Sequence, residues 1–442
     1  MAGIPQAAPP PNPPPQAGEG VFTHPPPQAG EGKGGGVTVL AATFDLRALP
    51  PGFYDDPYPT YRALRAHDPV RNMPDGSYFL TRYADVVAVY RDAQTFSSDK
   101  RIEFEPKYGD SPLYRHHTTS LVFNDAPLHT RVRRLIAGAL TGRAIAEMEP
   151  AVEQLVARLL DRAAEQGRFD LIGDFAAAIP VEVIGNLLCV PHDERGPLRD
   201  WSLAILGALE PVLAPEAAAR GNRAVAEFLA YLGTLVADRR ARPGDPAHDV
   251  LTRLIQGEAS ETGGEPLSET ELLHNCIFIL NAGHETTTNL IGNALFALLE
   301  WPEEKRRLIE NSPALIRTAV EEFLRFESSN QLGNRHAVQD AEIGGVRLPA
   351  GSLVTLCIGA ANRDPAQFPE PDRLDVAREP NRHLAFGFGV HQCAGLSVAR
   401  MEARIAIARF LARFPQYRLA GAPVRGGRAR FRGFLSIPAT AA

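Results

Sequence analysis

Between Ala144 and Gly167 the apolar residues Ile145, Met148, Val152, Leu155, Val156 and Leu159 recur in steps of three and four, which line one face of an amphipathic helix and read as core. Ser268 to Trp301 is a second helix with marked ends. Ser268-Glu-Thr-Glu271 is a capping box, Leu267 and Leu272 are placed as a hydrophobic staple, and Pro302 ends the run. At about 1.5 Å per residue this rod is roughly 50 Å long, enough to cross a whole molecule. Leu396 to Phe414 reads as a third long helix, and a short one starts at Asp56-Pro-Tyr-Pro. Val70 to Thr81 reads as a hairpin turned at Asp75-Gly76. Ala341 to Ile358 reads as short strands broken at Gly344-Gly345 and Pro349-Ala-Gly351. Phe96 to Phe123, with His116 and His117, has no clear period and is expected to be a long functional loop. Trp201 to Gly221 is apolar and alanine-rich, with breaks at Pro211 and Pro215.

Within the second helix, Asn281-Ala-Gly-His-Glu-Thr-Thr-Thr288 is poor helix material, because glycine and successive threonines propagate a helix weakly. Local loosening is expected there, with threonine hydroxyls re-satisfying displaced carbonyls. On these residues alone, a kinked core helix with a buried, satisfied Glu285 stands level with a functional site. Three further places carry candidate chemistry. In Phe386-Gly-Phe-Gly-Val-His-Gln-Cys-Ala-Gly395, Cys393 lies among glycines and just before a helix, where backbone N–H groups and the dipole favour a thiolate. A nucleophile, a metal ligand and a buried structural cysteine all fit that position. His129 and Arg133 share one face of a helix entered through Asp125-Ala-Pro127, as a solvated basic face would. Glu322 and Arg325, three apart, read as a surface ion pair.

Composition narrows the classes. The chain has 442 residues, 44% hydrophobic and 22% charged, with net charge −6, so no basic excess points to nucleic acid or an anionic membrane. Cys189, Cys276, Cys357 and Cys393 are far apart and form no CxxC, which disfavours zinc, iron–sulfur and disulfide frameworks and fits a reducing cytoplasm. Of residues 1–36, 18 are Pro or Gly, and PPPQAGEG occurs twice, so residues 1–40 are expected to be a disordered tail preceding a single domain, 41–442. The tail lacks a signal-peptide pattern, and translation starting near Val37 or Val39 would make it an artefact. No stretch has the 18 or so uninterrupted apolar residues of a spanning helix.

Phe386-Gly387-x-Gly389-x-His391-x-Cys393-x-Gly395 resembles the haem-binding loop of the cytochrome P450 family, with all six fixed positions present. Ala282-Gly283-x-Glu285-Thr286-Thr287 resembles the oxygen-activation segment of the same family, and Glu322-x-x-Arg325 its buried ion pair. The resemblance implies a mainly α fold with small β-sheets, haem b (iron protoporphyrin IX) being buried between the long central helix and the cysteine loop. Cys393 would be the axial iron ligand, whose electron push favours O–O cleavage. Phe386 belongs to the same loop, and His129, Arg133, Arg335, His383 and His391 would hold the haem propionates. Glu285 would be the acid and Thr286 the hydroxyl relay, since cleaving dioxygen at such a haem needs two protons. Gly283 would leave room for dioxygen and water. Arg373, from Pro371-Asp-Arg373, would join Glu322 and Arg325 in a lock that seats the haem, with Leu374 standing where Phe is usual. Trp201 to Gly221 would be a mobile lid. Arg131 and Arg134 would be exposed toward an acidic redox partner.

Substrate selectivity would lie in Phe278, Asn281, Ala282, Asn330, Leu332 and Phe434. Asn281 and Asn330, with Ser329, replace usual apolar or proline positions, and buried amides need partners, so a hydroxyl, carbonyl or carboxylate on the substrate is expected. The implied activity is insertion of one atom of O2 into a small, mostly apolar organic molecule by a monomeric, cytoplasmic haem-thiolate monooxygenase. Electrons would come from a ferredoxin or flavodoxin with its NAD(P)H-dependent reductase, because outside the Pro/Gly-rich tail the chain has no GxGxxG fingerprint, and it has no ferredoxin cysteine set. A peroxygenase using H2O2 and a non-catalytic haem sensor are the rival readings.

Overall fold

The computed structural model describes residues 40–246, 249–257 and 267–441, and the Pro/Gly-rich segment 1–36 lies outside them. The helix Glu269–Glu300 runs through the middle. Ser268 Oγ accepts from the Glu271 N–H and the Glu271 carboxylate accepts from the Ser268 N–H, the reciprocal capping predicted. Residues are buried all around it, as on a core helix rather than a surface one. Ala178–Leu187, Leu198–Gly207 and Pro215–Ala241 pack on it from one side and Leu396–Arg413 from another. One continuous apolar core joins these helices to Gly142–Gln166, whose buried Ile145, Val152, Leu155, Val156 and Leu159 are among those the period marks.

A five-stranded sheet forms a second layer. Val70–Asn72, Tyr78–Leu80, Leu353–Cys357, Leu332–Ala337 and Phe96–Ser97 follow in that order across it. The hairpin turns at Asp75-Gly76, where Gly76 adopts φ 83°, and Ala341–Ile343 pairs with Val346–Leu348 around Gly344-Gly345. Among the described residues no helix is long and apolar enough to cross a membrane.

Two expectations about local structure are corrected. Phe96 to Phe123 is not an irregular loop; it contains the helices Arg101–Tyr108 and Pro112–Thr119 and a 3-10 turn at Leu121–Phe123. Ser111 caps the second of these by accepting from the Tyr114 N–H, with Pro112 in the first turn. Buried Phe104 and Leu113 anchor the pair, so two short helices form where no period extends far enough to be read. The central helix also stays helical through Asn281–Thr288. Thr286 and Thr288 donate to the carbonyls of Ala282 and His284, at 2.7 and 2.9 Å, without opening the helix, because packing on both sides outweighs weak propensity.

Candidate active site

The cysteine loop and the central helix form two walls of a cavity of about 350 Å³. Cys393 lies three residues before Leu396, where the helix Leu396–Arg413 starts, and its N–H donates to the Phe386 carbonyl at 2.9 Å, closing the loop on itself. Gly387 and Gly389 have φ 66° and 72°, and a Cβ on Gly389 would meet the Tyr90 carbonyl oxygen at 2.6 Å, so this turn demands glycine. Gly395 has ordinary φ and open space beside it. Burial pushes the Cys393 thiol above its usual range, against the Gly395 N–H and the charges of Arg133 and Arg400, so the helix end tempers the thiol but does not ionise it. A metal ion at sulfur would ionise it outright.

Beside Cys393 stands a cluster of basic groups. His129 and His391 are 3.9 Å apart by ring centroids, and Arg133 and Arg335 line the same cavity. The buried His129 Nε2 lacks a hydrogen-bond partner, and burial with His391 and Arg133 holds this ring down to about 4. Arg335 lies against the Tyr90 ring and donates to the Asn334 carbonyl. His391 Nε2 stands 3.8 Å from Asp125 Oδ1, whereas Arg133 and Arg335 form no ion pair among the described residues, and a ligand carrying carboxylates would satisfy them and His129. His383 does not join them. It faces Glu321 at 3.1 Å, on a carboxylate held in a fork by Arg400 at 2.7 and 2.7 Å, and braces the loop from behind. That corrects its expected place.

On the helix wall, Phe278, Asn281, Ala282, Gly283, Thr286 and Thr287 face the cavity, joined by Asn330 and Leu332 from the far side. Gly283 has a packing reason as well, since a Cβ there would overlap Ile184. Asn281 is 2% exposed with neither amide atom partnered, and Asn330 Oδ1 is also unpartnered. Phe434 is elsewhere: it packs on Phe296 and under Arg425, and Phe431 takes the place on the wall expected of it. Phe434 belongs to a strand whose alternation aims it behind the central helix, so that expectation is corrected.

Glu285, one residue before Thr286, projects into a small separate chamber with His284, Asn289 and Arg428. Arg428 Nη1 donates to Glu285 Oε1 at 2.5 Å, while Glu285 Oε2 and both ring nitrogens of His284 have no partner. Burial raises the Glu285 carboxyl to about 7 despite the lowering by Arg428. Such a group exchanges protons readily near neutrality.

The Glu322–Arg325 pair is fully buried and bidentate, at 2.7 and 2.8 Å. Its third member is Arg378, whose Nε lies 3.2 and 3.1 Å from the two Glu322 oxygens. Arg373 contributes only its backbone carbonyl, and its side chain is exposed against Glu370, so the expected trio is corrected to Glu322, Arg325 and Arg378. Arg131 is likewise not free toward a partner, being ion-paired with Glu271.

A family model for cytochrome P450 matches residues 208–416. The Vitamin D(3) 25-hydroxylase of Pseudonocardia autotrophica is 39% identical over 83% of this chain and 89% of its own length. The chain belongs to the cytochrome P450 family. The biotin biosynthesis cytochrome P450 of Bacillus subtilis is 36% identical, covering 83% of this chain and 91% of that protein. Among solved structures, P450BioI in complex with hexadec-9Z-enoic acid ligated acyl carrier protein has TM-score 0.82 and 35% identity over 88% of this chain and 99% of that one. CalO2 has TM-score 0.82 and 31% identity over 90% and 98%. The chain is therefore a cytochrome P450 monooxygenase with the P450 fold, and its family implies a haem cofactor. Bacterial P450s draw electrons from redox partners and act on small organic molecules.

The cavity fits that cofactor chemically: an apolar enclosure with a cysteine in one wall and the basic groups His129, Arg133, Arg335 and His391 at its side, of which His129 Nε2 has no partner. Sequence reasoning missed Arg378, Arg428 and the buried Glu402, which also lines this P450 cavity and is raised by burial to about 8. One signal was available for part of this. Arg428, Arg430 and Arg432 alternate near the C-terminus and reach Glu285, Asn334 and Glu327 respectively, a two-residue period of buried rather than solvated charge.

Proposed function

We propose that this P450 inserts one oxygen atom from O2 into a small, mostly apolar organic substrate, with haem b held by Cys393 and electrons supplied by a ferredoxin or flavodoxin and its NAD(P)H-dependent reductase, in the cytoplasm and as a monomer. The observation that carries this reading is a single cavity onto which Cys393, the basic cluster and the Thr286 face of the central helix all open. Bound haem would supply the redox chemistry of oxygen activation. His129, Arg133, Arg335 and His391 would take its carboxylates, and Phe386, from the cysteine loop, would pack against it.

The chain's own part is proton handling and orientation. Thr286 Oγ donates to the Ala282 carbonyl at 2.7 Å, which fixes its rotamer and leaves its lone pairs turned to the cavity, ready to accept a proton or hold a water. Glu285 sits on the adjoining face and keeps its proton about half the time at neutral pH. Passing that proton to the cavity side requires Glu285 to release Arg428 and swing around the helix. Asn281 and Asn330 would orient a polar group of the substrate, and Phe278, Leu332 and Ala282 would exclude water around its apolar body.

The test is the absorption spectrum of the dithionite-reduced protein under carbon monoxide. Wild type is expected to show the strongly red-shifted Soret band of thiolate-ligated haem, and Cys393→His to lose it. A well-folded wild type that lacks the band overturns the reading. Product formed with peroxide as fast as with NAD(P)H and a surrogate ferredoxin chain would replace O2 by H2O2.

A further inference from the structure

The cavity has a polar region that neither the cysteine loop nor the central helix supplies. The segment Lys100 to His117 and the C-terminal Arg430 bring charged and imidazole groups to its wall, where a mostly apolar substrate would have no use for them. His116 and His117 are 2% and 1% exposed, and His116 Nδ1 and His117 Nε2 have no partner. Their rings are 5.1 Å apart, with Phe104, Tyr108 and Phe123 packed around His117. Lys100 is 3% exposed, its Nζ 3.0 Å from Glu103 Oε2 in a geometry that leaves neither atom a directed hydrogen bond. Arg430 donates to the carbonyls of Leu209 and Leu332 and to Asn334 Oδ1, all neutral acceptors. The unpartnered buried nitrogens of His116, His117 and Lys100 are costly unless a ligand takes them up.

The charge balance points to the ligand's sign. The cationic groups on the cavity wall are Lys100, Arg133, Arg335 and Arg430, and the acids are Glu103 and Glu402. Arg133 and Arg335 are assigned above to the carboxylates of the cofactor, and burial keeps Glu402 protonated. Glu103 and Glu210, the latter accepting from the Arg430 N–H, stand against Lys100, Arg430 and Lys107, which leaves positive charge in excess. Lys107 lies close behind and adds its positive charge to that of Arg430 on His117. We propose that Lys100, His116, His117 and Arg430 form an anchoring subsite for the carboxylate of an otherwise apolar substrate. This rests on the monooxygenase reading and adds to it the class of molecule, an apolar acid. His117 Nε2 and Lys100 Nζ donate to the carboxylate, Arg430 supplies the compensating charge, and the aromatic residues around His117 hold the first carbons of the chain.

The experiment is calorimetric titration of the haem-loaded enzyme with octanoate, dodecanoate and hexadecanoate, each beside the alcohol of equal length, with dodecyltrimethylammonium as the opposite charge. At one chain length or more the acid is expected to bind at least tenfold more tightly than its alcohol, and the cation not measurably. Lys100→Gln and His117→Phe, which keep the volume, are each expected to cut the acid-over-alcohol ratio at least fivefold while leaving alcohol binding within twofold. Equal binding of acid and alcohol at every length, binding of none of them, or an unchanged ratio in both variants overturns the proposal. The reduced carbon monoxide spectrum is recorded on each sample. A thiolate spectrum without acid preference sinks the anchoring subsite alone, whereas a missing thiolate spectrum sinks the reading beneath it.

Discussion

Glu285 is held by two opposed influences, burial that raises its carboxyl to about 7 and the Arg428 guanidinium that pulls it down. Arg428→Gln removes only the lowering influence. The inflection in the pH profile of turnover near 7 is therefore expected to move to higher pH in Arg428→Gln and to vanish in Glu285→Gln, with turnover of the latter reduced about 10²-fold. Stability has its own sign. Folding raises this carboxyl from 4.5, so its contribution is complete below pH 4.5 and is lost as pH rises through about 7, on the order of 3 kcal/mol in all. The melting temperature of wild type should accordingly fall, relative to that of Glu285→Gln, between pH 5 and 8; parallel pH dependence in the two would contradict the raised carboxyl. The motif made Glu285 a candidate acid, but its counter-ion lies 143 residues away and nothing local announces it.

Among the elements, the lock around Glu322 separates the sequence reading from the tertiary one. Arg325 is fully buried and also donates to the carbonyls of Asn362, Pro371 and Arg373, so it fastens the helix Ser312–Phe326 to the segment leading toward the cysteine loop. Removing one partner of a buried pair strands the other charge, at about 3–5 kcal/mol. Arg325→Met is expected to lose that much or fail to fold, and Arg378→Met to lose a substantial part of it. Arg373→Ala keeps the carbonyl the lock uses and should stay within about 0.5 kcal/mol of wild type in urea unfolding. Equal losses for Arg373→Ala and Arg378→Met would return Arg373 to the trio. A Glu-x-x-Arg spacing states that the two side chains share a face, but which distant arginine completes them depends on how the intervening chain turns.

At the scale of the whole molecule, the cavity is bordered by the central helix, the cysteine loop, the Lys100–His117 segment and the start of the strand Leu332–Ala337. A ligand that binds only the folded state stabilises it by about 4 kcal/mol at a thousandfold excess over Kd. Protein made without haem is therefore expected to melt at a lower temperature than the loaded enzyme and to recover on reconstitution; identical melting of the two forms would show that the cavity is not organised around the cofactor.

Sequence by itself determined the helices with strong period and marked ends, the hairpin at Asp75-Gly76, and the motif residues that face the cavity from the central helix and the cysteine loop. These are legible because capping, turn chemistry and side-chain periodicity act within a few residues. Only the tertiary structure decided that Arg378 rather than Arg373 meets Glu322, that His383 braces Glu321 from behind the loop, that Phe434 packs away from the cavity, and that Phe96 to Phe123 folds into helices bearing buried histidines. Each of these depends on which distant surfaces meet. Burial also sets which way Glu285, Glu402 and Cys393 titrate, and burial is a property of the packed molecule rather than of any stretch of it.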